Sequence, residues 1–404
     1  MHIFRIANPS FSVGGGELRS YYVIKSLSRK TKITVVPPLF ALCGKNVNQI
    51  IEDVKSLNVI IPDKVEELAK NCNSFPKNPL SAMKLEREYF SNFIDEVKDS
   101  DIVFSDYAYY FIISTMSFLR EKTGVKNVTL LQAGNLKAVR SLRMIIKLRG
   151  FDILTLPRYF RNLYTDSISR KYSKNLDFLL GVSKASIDDF MGMGLVRKET
   201  PWKVLKPANA VEKELLNLPS KEKEDYAVFF ARLVPEKGIF ELPKIWKKVR
   251  EKIPKARLIV VGKFYSEKVR SQFLSMSKDS SIEYKSFLPR KELIETVAKA
   301  RVFVYPTHFD AFSLTVLESL TLKTPIVTYD IPAIVEIFGN LKAVKFVKEF
   351  DINSMANTVT ELYNMSDYDS LFDEEHKSFV NFYSSWENVA EAEYNAIKDF
   401  INLN

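Results

Sequence analysis

Short runs of β-branched and apolar residues alternate with helical patterns along the whole chain, and the alternation is made twice. In the first half the strand-like runs fall at 3–7, 32–36, 102–105, 128–132 and 178–182. In the second half they fall at 227–231, 257–261, 282–287, 302–305 and 326–329. Continuous apolar runs of this length suit strands buried on both faces, and strands separated by helices call for parallel pairing. The helical stretch 17–29 shows Leu18, Tyr21, Tyr22 and Leu27 as its apolar face. The pattern predicts an α/β chain of two doubly wound, Rossmann-like domains. Ligands of such sheets sit at the C-terminal strand ends, which places the expected site in the cleft between the halves. Lys206-Pro207-Ala208-Asn209 breaks the alternation and predicts domains over 1–205 and 206–385.

The 404 residues suit two domains. Two cysteines, Cys43 and Cys72, are too few for a disulfide scaffold or a thiolate zinc site and are expected as small buried hydrophobes. His2, His308 and His376 lie far apart in sequence, which argues against a histidine-rich metal centre. The first residues run straight into a strand-like segment with no leader pattern. The longest uncharged apolar stretch, Tyr107 to Leu119, has 13 residues, short of the roughly 17–25 that a spanning helix needs. The expected location is cytoplasmic, with peripheral contact at the cytoplasmic face of a membrane allowed.

Charge is unevenly spread. The net charge is +10; residues 1–210 hold 32 basic and 20 acidic side chains, the remainder 27 and 29. An excess confined to one half suggests an anionic partner there. It is densest from Arg140 to Lys174, where nine cations stand against Asp152 and Asp166 and are interleaved with Leu142, Ile145, Phe151, Ile153, Phe160 and Tyr164. Such a mixture can lie on an anionic membrane surface, each cation contributing about 1 kcal/mol; the other reading is a helix with a solvated cationic face.

Four stretches carry chemistry. In Phe11-Ser12-Val13-Gly14-Gly15-Gly16-Glu17, after the first strand, Gly15 and Gly16 let backbone N–H groups face an anion or sugar. The loop lacks the dinucleotide-binding glycine spacing, so a dehydrogenase is disfavoured, and a plain strand-to-helix turn would look the same. In Phe230-Ala231-Arg232-Leu233-Val234-Pro235-Glu236-Lys237-Gly238, Arg232 and Lys237 leave a strand end together. Two such cations can hold a diphosphate and stabilise its charge as it departs. From Tyr305 to Glu318 a loop opens a helix. Backbone N–H groups at Phe312, Ser313 and Leu314 can meet phosphate or sugar oxygens, and the Glu318 carboxylate suits a ribose diol. Asp330-Ile331-Pro332-Ala333-Ile334-Val335-Glu336 would wall the same pocket.

In this order the motifs resemble the retaining glycosyltransferases of family 4, which have the GT-B fold. The resemblance runs from residue 1 to Trp386-Glu387 and includes Pro207-Ala208-Asn209-Ala210-Val211. It implies a nucleotide-sugar donor, UDP- or GDP-linked, bound by the second half, and an acceptor bound by the first. It implies a last helix, 386–404, crossing back onto the first domain. It further implies transfer with retention, no metal, and Arg232 and Lys237 as catalytic diphosphate ligands. Asp310, the third catalytic candidate, stands where the family has the first Glu of its pair, one methylene shorter, a change in reach of about 1.5 Å. Gln132 stands where many members have His, and a Gln cannot shuttle a proton near neutrality. Gln132, Asn135 and His308 are the acceptor-side candidates.

The preferred function is transfer of a sugar to a lipid-linked or cell-envelope glycan precursor at the cytoplasmic membrane face. The alternative is a soluble glycosyltransferase or glycoside synthase acting on a small sugar acceptor, with or without a phosphate. A nucleic-acid partner is disfavoured, because the positive charge comes without a recognisable binding motif. Asp367-Tyr368-Asp369 has a metal-binding spacing in another fold, but it follows a helical segment and reads as a capped turn.

Overall fold

In the computed structural model, which describes residues 1–9, 14–44, 47–278 and 280–402, the chain forms two compact units. Unit 1 takes Met1–Ala133, Leu156–Ala210 and the stretch from Trp386; unit 2 takes Gly134–Thr155 and Val211–Ser385.

Unit 1 is built on strands β1 (His2–Ile6), β2 (Lys32–Val36), β3 (Ile102–Ser105), β4 (Asn127–Leu131), β5 (Phe178–Gly181) and β6 (Trp202–Val204). They pair in parallel in the order β2-β1-β3-β4-β5-β6. Strands β3, β4 and β5 are buried at every residue, which is why they read as mainly apolar runs. The chain leaves β1 for β2 on one side and then returns to β3 on the other. The crevice at the C-terminal ends of β1 and β3 is therefore the topological switch point of this sheet.

Unit 2 repeats the plan with β7 (Glu224–Phe230), β8 (Leu258–Val261), β9 (Ile282–Lys285), β10 (Ala300–Tyr305), β11 (Ile326–Tyr329) and β12 (Val344–Val347). The parallel order is β12-β11-β10-β7-β8-β9, with the switch point between β7 and β10. The two edge strands β6 and β12 were not expected from the sequence. Both are short, neither is buried throughout, and Lys203 and Lys345 interrupt their apolar runs.

A fully buried ion network ties unit 1 together. Arg5 on β1 donates to Asp106 Oδ1 (2.7 Å) and to Glu393 Oε1 (2.6 Å). Arg19 on the helix Gly15–Leu27 donates to Glu393 Oε2 (2.8 Å) and to the Ala208 carbonyl (2.8 Å). Burial opposes charge on Arg5, but the facing carboxylates of Asp106 and Glu393 outweigh it and hold its pKa above the usual value. Glu393 lies on the helix Trp386–Asn402, so the end of the chain is locked to its first strand. This network shifts the expected face of the first helix, of which only Leu27 is buried. Its buried residues are Arg19, Ser20, Val23, Ile24 and Leu27, while Leu18, Tyr21 and Tyr22 are only partly covered.

Three further expectations change. The boundary lies at Ala210/Val211 rather than 205/206, and Gly134–Thr155 packs with unit 2 despite preceding much of unit 1 in sequence. Inside unit 2, Arg149 pairs with Glu236 and the Lys147 ammonium lies 4.1 Å from the centre of the Phe350 ring. The cations from Arg140 to Lys174 are thus divided between two units rather than presented by one helix. Cys43 and Cys72 are half-buried and joined in a disulfide, not isolated apolar side chains.

Buried Glu86, on the helix Pro79–Ser91, accepts from the backbone N–H groups of Leu39 (2.9 Å) and Phe40 (3.3 Å). Burial pushes its pKa up from 4.5 to about 8, against these two bonds. The native state therefore keeps a proton that the unfolded chain has lost, and stability falls as pH rises from about 4.5 to about 8. Urea unfolding between pH 5 and 9 should show this slope, about 1.4 kcal/mol per pH unit at most, and Glu86→Gln should flatten it.

Candidate active site

The loop after β7 and the loop after β10 flank the switch point of unit 2. After β7 the chain makes a single turn, Pro235–Lys237, ended by Gly238 at φ 74°. A Cβ there would stand 2.1 Å from the Pro306 carbonyl oxygen, so only glycine lets the two loops approach. His308 N–H donates to the Glu236 carbonyl at 2.9 Å across the same approach.

This contact delivers Lys237 to the other loop. Its ammonium donates to Asp310 Oδ2 (2.7 Å), the Phe309 carbonyl (2.7 Å) and the Tyr305 hydroxyl (2.9 Å), one acceptor for each of its three hydrogens. Tyr305 OH also donates to Asp310 Oδ2 at 2.7 Å. Burial works against both charges. Asp310 nevertheless holds the Lys237 pKa above its usual value, and Lys237, Tyr305 and Ser313 hold that of Asp310 below. The site thus contains a charged lysine and a charged aspartate at neutral pH.

Asn135 and Gly134 join this loop from the segment Gly134–Thr155. Asn135 Nδ2 donates to the His308 carbonyl (2.6 Å), and a Cβ on Gly134 would stand 2.4 Å from the Asp310 carbonyl oxygen. The His308 ring itself turns inward and is fully buried, with Nδ1 2.7 Å from Glu349 Oε1 and Nε2 2.9 Å from Glu241 Oε1. Burial lowers its pKa, but the two carboxylates outweigh this and raise it. Both ring nitrogens are occupied, so His308 supports the loop from beneath instead of touching a substrate.

The helix Leu314–Thr321 follows. Ser313, at φ 73°, makes no side-chain cap, so the first N–H groups of the helix remain available to an anion. Phe312 contributes only its backbone there, because its ring packs on Phe338 and Tyr383 in the core. Glu318, one turn in, pairs through Oε1 with Arg290 (2.7 Å), which also reaches Glu212 (2.9 Å). Burial still leaves the Glu318 pKa above its usual value despite Arg290. Arg290 was missed by sequence reasoning. It starts the helix Arg290–Lys299 as one of many surface-like cations, and no local pattern marks its partner 28 residues on.

Arg232 is exposed and has no side-chain partner among the described residues. The structure therefore joins Lys237 to Asp310 directly, keeps Glu318 in a separate ion pair, and leaves the Arg232 guanidinium open to solvent.

In unit 1, Gly15 and Gly16 open the helix that follows β1, behind the extended Gly14, and no side chain caps that end. Phe11, Ser12 and Val13 of the same motif lie outside the described residues. Gln132, after β4, donates from Nε2 to the Asp106 carbonyl (3.0 Å), and a Cβ on Gly16 would meet its Oε1 at 3.5 Å. Gln132 and Gly16 are thus neighbours at the C-terminal end of this sheet. Asp367 accepts from Ser370 N–H at 3.3 Å and closes a turn.

Sucrose-phosphate synthase from Thermosynechococcus elongatus superposes on the whole chain with a TM-score of 0.74 at 14% identity, covering 100% of both chains. The fold is GT-B. A second GT-B structure, Anabaena HepE in complex with UDP-glucose, gives a TM-score of 0.68 at 12% identity, over 99% of this chain and 100% of that one. Residues 211–379 match the family model described as Glycosyl transferases group 1. The poly(glycerol-phosphate) alpha-glucosyltransferase of Bacillus subtilis (strain 168) is 26% identical over 171 residues, 41% of this chain and 24% of that protein. The chain spans between about a quarter and somewhat over a third of the length of the curated relatives it matches.

Proposed function

We propose that this GT-B chain is a glycosyltransferase that moves a sugar from a UDP-linked donor to an acceptor hydroxyl with retention of anomeric configuration and without a metal. The observation that carries the reading is the placement of Lys237 and Asp310 at the switch point of unit 2, within the stretch that matches the glycosyltransferase model. Lys237, the open guanidinium of Arg232 and the uncapped N–H groups after Ser313 supply positive charge for a diphosphate. As the bond from the sugar to the phosphate oxygen breaks, its electron pair stays on the diphosphate, which these groups stabilise. The acceptor oxygen bonds to the same carbon from the same face and gives its proton to the leaving phosphate oxygen. Glu318, held by Arg290, takes the ribose hydroxyls. The complex of HepE with UDP-glucose supports a UDP donor.

The acceptor in this reading is a lipid-linked or cell-envelope glycan precursor at a cytoplasmic membrane face. The poly(glycerol-phosphate) in the name of the Bacillus relative supports a polymeric acceptor. Leu156, Phe160, Leu163 and Tyr164, all in unit 1, recur at helical spacing on the helix Thr155–Tyr172 and are exposed. Exposed Arg161, Arg170 and Lys171 suit an anionic headgroup layer. No helix among the described residues is long and apolar enough to cross a membrane.

Calorimetry with UDP-glucose tests the donor. Uptake is expected, and Glu318→Ala should weaken it by about tenfold or more, the loss of one or two charge-assisted bonds. No uptake of any nucleotide sugar would remove the reading. Flotation with anionic vesicles at low salt tests the membrane face in the same way.

A further inference from the structure

The proposed transfer depends on two loops of unit 2 staying together, the turn that carries Lys237 and the loop that carries Asp310. The turn, Pro235–Lys237, closes on itself through Lys237 N–H to the Val234 carbonyl (3.0 Å) and Gly238 N–H to the Pro235 carbonyl (2.9 Å). A single turn has little stability of its own, because so few hydrogen bonds do not offset the ordering of its backbone. Its place must be fixed from outside. The segment Gly134–Thr155, which packs with unit 2, grips the turn and the facing loop at once. Arg149 donates from Nη2 to Oε1 of Glu236, the residue before Lys237. Asn135 donates from Nδ2 to the carbonyl of His308, two residues before Asp310 (2.6 Å). His308 N–H in turn donates to the Glu236 carbonyl (2.9 Å). Glu236 is thus held through its backbone by the facing loop and through its carboxylate by Arg149.

The gripping element is itself anchored. The helix Leu142–Arg149 is capped by Ser141, whose Oγ accepts from Met144 N–H (3.2 Å), and ended by Gly150, whose N–H donates to the Ile146 carbonyl (2.8 Å). It buries Met144, Ile145 and Leu148. Lys147 stands over the Phe350 ring (4.1 Å), which stacks on the His308 ring (4.4 Å between centroids, 26°). The Arg149 and Glu236 side chains are only 27% and 25% exposed, so water screens their attraction less than on an open surface.

We propose that Arg149 is a positioning residue for the transfer: acting through Glu236, it holds Lys237 where the ammonium meets the departing diphosphate. This role rests on the transfer proposed above and needs no contact between Arg149 and a substrate. Misplacing a reacting group by about 1 Å can cost about 10²-fold in rate, so a contact made one residue from Lys237 bears directly on turnover.

Slow hydrolysis of UDP-glucose, which needs no acceptor sugar, tests it together with hydrogen exchange on the full chain. Arg149→Ala should lower kcat by about tenfold to a hundredfold. Arg149→Lys keeps a cation for the one carboxylate oxygen and should stay within about threefold of the parent. In a Lys237→Ala background, Arg149→Ala should cost less than about twofold more, since the group it positions is gone. A merely structural role would lower turnover equally in both backgrounds. Exchange at the amides of Lys237, Gly238 and His308 should quicken by about tenfold or more in Arg149→Ala, while β7 stays protected. Glu236→Ala cuts the same pair from the other side, should match Arg149→Ala, and covers the case in which Arg149→Ala fails to fold. Parent-like turnover in Arg149→Ala, equal losses in both backgrounds, or unchanged exchange at those three amides would each overturn the proposal. Faster exchange there in a chain that turns over no nucleotide sugar would keep the grip and remove the transfer reading.

Discussion

Lys237→Ala should lower turnover by about 10²- to 10³-fold in an assay of sugar transfer or slow donor hydrolysis from UDP-glucose. That is the range found when one preorganised donor to developing negative charge is removed. The expectation follows from where the ammonium stands. It is buried, charged and within 2.7 Å of Asp310, in a setting that excludes most screening water. In the proposed mechanism a diphosphate competes with Asp310 for this cation. Asp310→Asn should accordingly tighten UDP binding while Lys237→Ala weakens it. The variant leaves Asp310 with the Tyr305 hydroxyl and the Ala311 N–H, so a melting curve must accompany the rate. A folded Lys237→Ala protein with unaltered turnover would remove the lysine from the chemistry.

The second large effect is on stability. Glu393→Ala should destabilise unit 1 by about 3–5 kcal/mol, read as a lower urea midpoint, because it strands two buried guanidiniums. Arg5 would keep only Asp106, and Arg19 only the Ala208 carbonyl. Turnover measured well below the unfolding transition should stay close to that of the parent, since no donor-site residue touches Glu393. Loss confined to the helix Trp386–Asn402, with β1 still protected from hydrogen exchange, would show that the network does not couple the two ends of the chain.

Strands β3, β5 and β10 could be read directly, because a strand covered on both faces must be apolar at nearly every position. Strand β6 could not, because an edge strand with an exposed Trp202 and Lys203 has no such requirement. The same reasoning separates the site residues. Lys237 and Asp310 were legible, since each follows a strand in a loop whose glycine or helix start marks it. Their pairing was not, nor was the inward turn of His308, because these depend on which strand lies beside β7. The first helix shows the limit most clearly. Periodicity favoured Leu18, Tyr21 and Tyr22, yet the fold buries Arg19, since a carboxylate 374 residues away is there to meet it.

Local sequence alone determined the two α/β halves, their parallel sheets and the loops that would carry the chemistry, because strand burial and turn geometry are short-range demands on residue type. Only the tertiary structure decided that Gly134–Thr155 sides with unit 2, that Cys43 finds Cys72, and that Arg290 holds Glu318. Each of these is a meeting between distant segments, and what brings such partners together is the order of strands in the sheet, which no local period encodes.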